Sequence, residues 1–175
     1  GFGVFTVAAL YCWLSLNAGE TMKDVREEYH AEGLSEGLLH DNPVEQARRW
    51  VDEAIEAGFP LPNAMTLATV SADGQPSTRV VLLKGIEGGG FTFFTHYDSR
   101  KGEEIAANAK VSFTMFWQPF DRQMIVIGEA SKVDEEESES YFASRPYASQ
   151  ISAAISPQSQ PTSREWLEAE VEALG

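Results

Sequence analysis

Arg79-Val80-Val81-Leu82-Leu83-Lys84, followed after one strand-like run by Ser99-Arg100-Lys101, gathers four cations in a chain of formal net charge -14. Arginine presents a fork of donors to phosphate, and a helix beginning near Ser99 would add free N–H groups and a favourable dipole. The chemistry suggested is therefore binding of a small anion. The plainer account is a solvated helix start at Ser99 and exposed polar ends of a strand at Arg79 and Lys84. Being five residues apart, Arg79 and Lys84 fall on opposite faces of a strand. For both to touch one ligand, the strand must bulge, its end must turn, or two subunits must contribute. Tyr141, Arg145 and Ser149 recur at i, i+4 and i+8 and carry donors suited to a second phosphate, although Pro146 places Ser149 in a second turn or helix. Core packing of Tyr141, snorkelling of Arg145 and helix capping by Ser149 account for the same residues, and spacing alone favours that simpler account.

No Ser/His/Asp grouping, P-loop or GxGxxG accompanies these cations, so an enzyme built on this sequence leaves the hard step to a bound cofactor. His30, His40 and His96 lack metal-ligand spacing, and no metal is expected. The single cysteine, Cys12, excludes an internal disulfide framework and a Cys-rich zinc site; it fits a reducing compartment, and a cytoplasmic location is expected.

The elements that must position these residues follow from periodicity. Asn42-Pro43-Val44-Glu45 offers an N-cap, a proline at the first helical position and a glutamate at N3. Val44, Ala47, Trp50, Val51, Ala54 and Ile55 then recur at helical spacing, and Gly58, Pro60 and Pro62 end the helix. From Met65 the period becomes two: MTLATV, a turn at Ser71 to Gly74 and PSTRVVLLK predict a hairpin. FTFFT, Lys110 to Trp117 and Arg122 to Val133 predict further strands, with a short helix over Ser99 to Asn108 between them. Asp134 to Glu137 loads the start of a helix that ends near Pro146, and Ser163 caps a last amphipathic helix after a loop. Short strands with tight turns and peripheral helices predict a mainly β, antiparallel small barrel of the α+β kind.

At 175 residues and 43% hydrophobic, the chain can bury one compact core. Its 27 acidic against 13 basic residues argue against nucleic acid or an anionic membrane surface as partner. Residues 1 to 16 are mostly apolar but short of the ~20 needed to span a bilayer, and no basic residue precedes Lys23 to make a signal peptide. Met22 offers an alternative start that would make residues 1 to 21 a translated upstream sequence; a genuine N-terminal extension is the other reading. Residues 22 to 62 read as an arm and helix, and 63 to 175 as the barrel.

From about Val25 onward the chain resembles the pyridoxamine (pyridoxine) 5′-phosphate oxidase family, FMN enzymes of the split-barrel fold. The resemblance runs through VREEY, Pro62-Asn63-Ala64-Met65, RVVLLK, FFT, SRK, RQMIVIG, YFASRPYASQI and SPQS. It implies FMN held by Arg79, Val80, Val81, Leu82, Leu83 and Lys84, by Phe94 and Thr95, by Arg100 and Lys101, by Gln123, and by Gln158 and Ser159. It implies that Lys84, Tyr141, Arg145 and Ser149 contact the substrate phosphate, and that Arg26 and Tyr29 belong to a segment covering the substrate. The implied reaction passes a C4′ hydride from a phosphorylated B6 vitamer to the flavin, with O2 as acceptor, H2O2 released and pyridoxal 5′-phosphate formed. The implied assembly is a homodimer with FMN at the subunit interface. Family members continue through Trp-Gly-Gly and Arg-Leu-His segments that supply further flavin contacts and the Arg and His nearest the reacting carbon. Neither segment occurs here, so the sequence reads as an incomplete member and no catalytic residue is assigned; a related split-barrel flavin oxidoreductase with another substrate and a non-catalytic FMN-binding or dimerisation module are the alternative readings. Leu61 also stands where an acidic residue commonly precedes Pro-Asn-Ala-Met.

Overall fold

The computed structural model describes residues 37, 39–155 and 158–174. The first helix, α1 (Pro43–Glu56), starts as its cap predicts, with the Asn42 side chain accepting from the Val44 N–H at 2.9 Å. Ala47, Val51 and Ala54 on one stripe of α1 join the core. Three strands follow: β1 (Ala64–Val70), β2 (Pro76–Glu87) and β3 (Gly90–Phe93). Helix α2 (Arg100–Ala107) then leads into β4 (Lys110–Trp117), and a 3-10 turn at Gln118–Phe120 into β5 (Arg122–Glu129). Three helices close the described chain: α3 (Glu135–Ser144), α4 (Tyr147–Ile155) and α5 (Arg164–Leu174).

The sheet is antiparallel throughout, in the order β3-β2-β1-β4-β5. This is the antiparallel split-barrel architecture of the α+β kind that the sequence predicts, though helical residues outnumber strand residues among those described. Alternation puts Met65, Leu67, Phe113, Met115 and Trp117 on the buried face, and the Trp117 indole donates to the Pro62 carbonyl at 2.9 Å. Arg122 ties α1 to β5 by pairing with Glu53 while lying over the Trp50 ring, 4.9 Å from its centroid.

Two strands are shorter than their sequences suggest. β5 ends at Glu129 rather than Val133, because its partner β4 begins at Lys110, opposite Glu129, and the ladder runs out there. β3 pairs with β2 only from Leu83↔Phe93 to Glu87↔Gly90, so Phe94 and Thr95 leave the sheet. The β2–β3 register shifts between Leu83 and Gly85, a local irregularity in the ladder beside Lys84. Among the described residues, no helix is long and apolar enough to cross a membrane.

Candidate functional site

The short reach of β3 leaves one edge of β2 without a strand partner from Pro76 to Leu82 among the described residues. Leu83 turns both backbone groups toward β1: its N–H donates to the Asn63 carbonyl at 2.8 Å, and its carbonyl accepts from the Asn63 side chain at 2.7 Å. Antiparallel alternation then points the backbone groups of Val80 and Leu82 away from β1, out of the open edge. A pocket of about 630 Å³ lies along this edge, walled on its far side by α3 and α4. Arg79 and Val81 enter it from one face of β2, and Val80, Leu82 and Lys84 from the other. An open edge thus lets both faces of one strand serve one cavity.

Helix α2 supplies the next cation. Ser99 caps it from a fully buried position, accepting from the Gly102 N–H at 3.3 Å and donating to the His96 carbonyl at 2.6 Å. Lys101 is buried behind that cap, its Nζ 2.6 Å from Gln158 Oε1 and 3.3 Å from Ser99 Oγ. Burial first, and the charge of Arg79 second, push the Lys101 ammonium below its ordinary pKa. Glu104, one turn further on, accepts from Thr69, from Ser77 at 2.7 Å, from Arg100 at 2.8 Å and from Arg79 at 3.3 Å. The Thr69 hydrogen bond above all, with those of Ser77 and Arg100, holds its carboxyl at a pKa of about 2 against the opposing effect of burial.

On the opposite wall, Tyr141 of α3 stacks on Phe94, with ring centroids 3.6 Å apart and planes 5° from parallel. Lys84 Nζ sits 6.0 Å from the Tyr141 centroid. Arg145 leaves α3 in extended geometry, and Gln150 pins that corner by donating to the Arg145 carbonyl at 2.8 Å. Among the described residues, Lys84, Lys101 and Arg145 line this pocket with no carboxylate partner.

The structure therefore gathers Arg79, Val80, Val81, Leu82, Lys84, Phe94, Thr95, Lys101, Tyr141, Arg145 and Gln158 around one cavity. Leu83 instead points into the core, and Arg100 lines a separate hollow beside the Ser71–Gln75 turn. Ser149 sits half-buried in α4, as Pro146 dictates, and Ser159 occupies a left-handed turn at φ 68°; neither lines the pocket. Gln123 lies exposed on the sheet face away from the core, paired with Phe116. Arg26 and Tyr29 fall outside the described residues. Sequence reasoning missed His96, Ser138, Phe142 and Ala153 as lining residues. Ser138, Tyr141, Phe142 and Arg145 share the i, i+3, i+4, i+7 spacing of one helix face, a signal that could have found two of the four.

A family model described as pyridoxamine 5′-phosphate oxidase matches residues 51–175. The pyridoxine/pyridoxamine 5′-phosphate oxidase of Alcanivorax borkumensis is 86% identical over 153 residues, covering 87% of this chain and 73% of that protein. Its counterpart from Bordetella petrii is 48% identical over 149 residues, covering 85% and 71%. Among solved structures, PhzG from Burkholderia lata in complex with tetrahydrophenazine-1-carboxylic acid superposes with a TM-score of 0.77 at 28% identity, covering 82% of this chain and 73% of that one.

Proposed function

The chain belongs to the pyridoxamine 5′-phosphate oxidase family, and from that premise we propose that its pocket binds FMN and serves the oxidation of pyridoxamine or pyridoxine 5′-phosphate to pyridoxal 5′-phosphate. The observation that carries this reading is one cavity with two sets of cations. Lys101 bonds Gln158 within reach of the Arg79 charge, while Lys84 lies by the Tyr141 ring and Arg145 by that of Phe142. Two phosphates, one on the cofactor and one on the substrate, account for both sets.

The residues fit FMN on physical grounds. A half-buried guanidinium and a buried ammonium suit a phosphate, and the unpaired backbone groups of Val80 and Leu82 suit the carbonyl and N–H edge of a flavin ring. Bound FMN supplies a hydride acceptor that O2 reoxidises, with H2O2 as by-product. Arg79 and Lys101, joined by Gln158, anchor the cofactor phosphate. Lys84, Tyr141 and Arg145 anchor the substrate phosphate. The chain contributes orientation, which for reacting atoms about 3 to 3.5 Å apart is a large part of the rate.

The working unit of this reading is a homodimer. Thr66 of β1 pairs with Val80 and with Thr114, which pairs with Ile125, so these four share one sheet face; Ile127 and Phe116 lie on it too. Val80, Phe116, Ile125 and Ile127 are 64%, 59%, 58% and 84% exposed, an apolar face that a second copy would cover. Val80 also lines the pocket, so the covering copy becomes a wall of the site and can bring its Gln123 to it. Purified chain tests the reading: bound flavin absorbs near ~450 nm, and FMN-loaded protein should release peroxide with pyridoxine 5′-phosphate but not with pyridoxine. Colourless protein that ignores added FMN sinks the flavin assignment. Peroxide release with a non-phosphorylated substrate alone would favour a different oxidase, of the kind its likeness to PhzG raises.

A further inference from the structure

Glu104 is the one buried carboxylate among the described residues, and the chemistry proposed above makes no use of it. Its surroundings are specific. Thr69 and Ser77 donate to its Oε2, and the same two hydroxyls accept from Arg79, from Nη1 at 2.6 Å and from Nη2 respectively. Arg79 Nη1 also donates to the Leu67 carbonyl at 3.2 Å, and Nη2 to Glu104 at 3.3 Å. All four terminal N–H groups of Arg79 are thereby committed, and among the described residues only Nε–H is left for a ligand. The guanidinium is fixed in place at the pocket wall before any anion arrives.

We propose that Glu104 is a positioning residue for anion recognition: it clamps Arg79 of β2 at the pocket wall, and leaves neighbouring Lys101 as a cation with no carboxylate of its own. The inference rests on the reading that the pocket binds FMN. Its sign is opposite to that of simple electrostatics. Removing a negative charge from the neighbourhood of a phosphate should tighten binding by Coulomb's law, whereas releasing a preorganised arginine should weaken it.

Glu104→Gln keeps the shape and discards the charge, and it sets an amide N–H₂ against arginine donors on one side. Flavin fluorescence titration of the full chain with FMN and with riboflavin, which lacks the phosphate, reads the difference. FMN affinity should fall about tenfold, the size expected for loss of one charge-assisted contact, with riboflavin affinity within about twofold of the parent. Tighter FMN binding, or equal loss of both flavins, overturns the proposal while leaving the FMN reading intact. A parent chain that binds neither flavin defeats the FMN reading and this inference with it. Should Glu104→Gln fail to fold, Ser77→Ala removes one donor to Glu104 and one acceptor of Arg79 at a half-buried site. It should move the FMN-to-riboflavin ratio the same way by a smaller factor, and an unchanged ratio overturns the proposal.

Discussion

Leu61 is held in the left-handed region at φ 50° with its side chain 67% exposed, while its carbonyl accepts from the Ala64 N–H at 2.9 Å. That turn leads directly into β1, so it cannot relax without disturbing the sheet. A leucine there gains little from burial and bears the steric cost that asparagine largely avoids. Leu61→Asn should raise stability by about 0.5 to 1 kcal/mol, read as a higher urea midpoint; a lower midpoint would refute the strain. Gly102 is constrained for another reason. A Cβ on it would lie 2.1 Å from the Tyr97 carbonyl oxygen and 2.7 Å from that of His96, so α2 packs against that backbone only because the side chain is missing. Gly102→Ala should cost about 3 kcal/mol and loosen the Ser99–Lys101 corner. An unaltered thermal melt would show that the contact is not constraining.

At the scale of elements, the site is a strand edge set against a helix. Lys84 comes from β2 and Arg145 from the end of α3, and the role proposed for both is to hold the substrate's phosphate. Lys84→Ala and Arg145→Ala should each raise KM for pyridoxine 5′-phosphate by about tenfold to a hundredfold, the usual size of a lost charged contact. FMN affinity should change much less, and equal loss of both would contradict the division of roles. Much of this arrangement is legible in the sequence because its signals are local. Asn42, Ser99, Asp134 and Ser163 are caps that act within three residues, and the alternation from Lys110 to Trp117 marks the bounds of β4. What is not legible depends on distant partners. The end of β5 is set by where β4 begins, and the open edge of β2 by where β3 stops. Glu104 reads as a solvated helix residue until Thr69, Ser77 and Arg79 are placed around it, since nothing in its own spacing marks a carboxylate for burial.

For the whole molecule, a net charge of -14 coexists with a pocket holding three cations that lack carboxylate partners among the described residues. The anion binding proposed for this pocket thus rests on local geometry rather than on the molecule's overall field. The apolar face around Ile125 is the other large-scale feature. Ile125→Glu should leave each chain folded yet shift it from dimer to monomer in analytical ultracentrifugation, and flavin uptake should fall with the lost wall. A parent chain that sediments as a monomer would contradict the dimer reading. The same scale gives the open edge of β2 a second meaning. From Pro76 to Leu82, alternate residues turn backbone groups out of an edge that has no strand alongside among the described residues, a template on which another chain's strand can add. A ligand lying along that edge stops it from recruiting strands as well as filling a pocket. The apoprotein should therefore be the aggregation-prone form, and added FMN should delay light scattering on mild heating; identical scattering with and without FMN would show that the edge is harmless. Cofactor supply, on this view, governs how long the chain stays in solution as well as whether it can react.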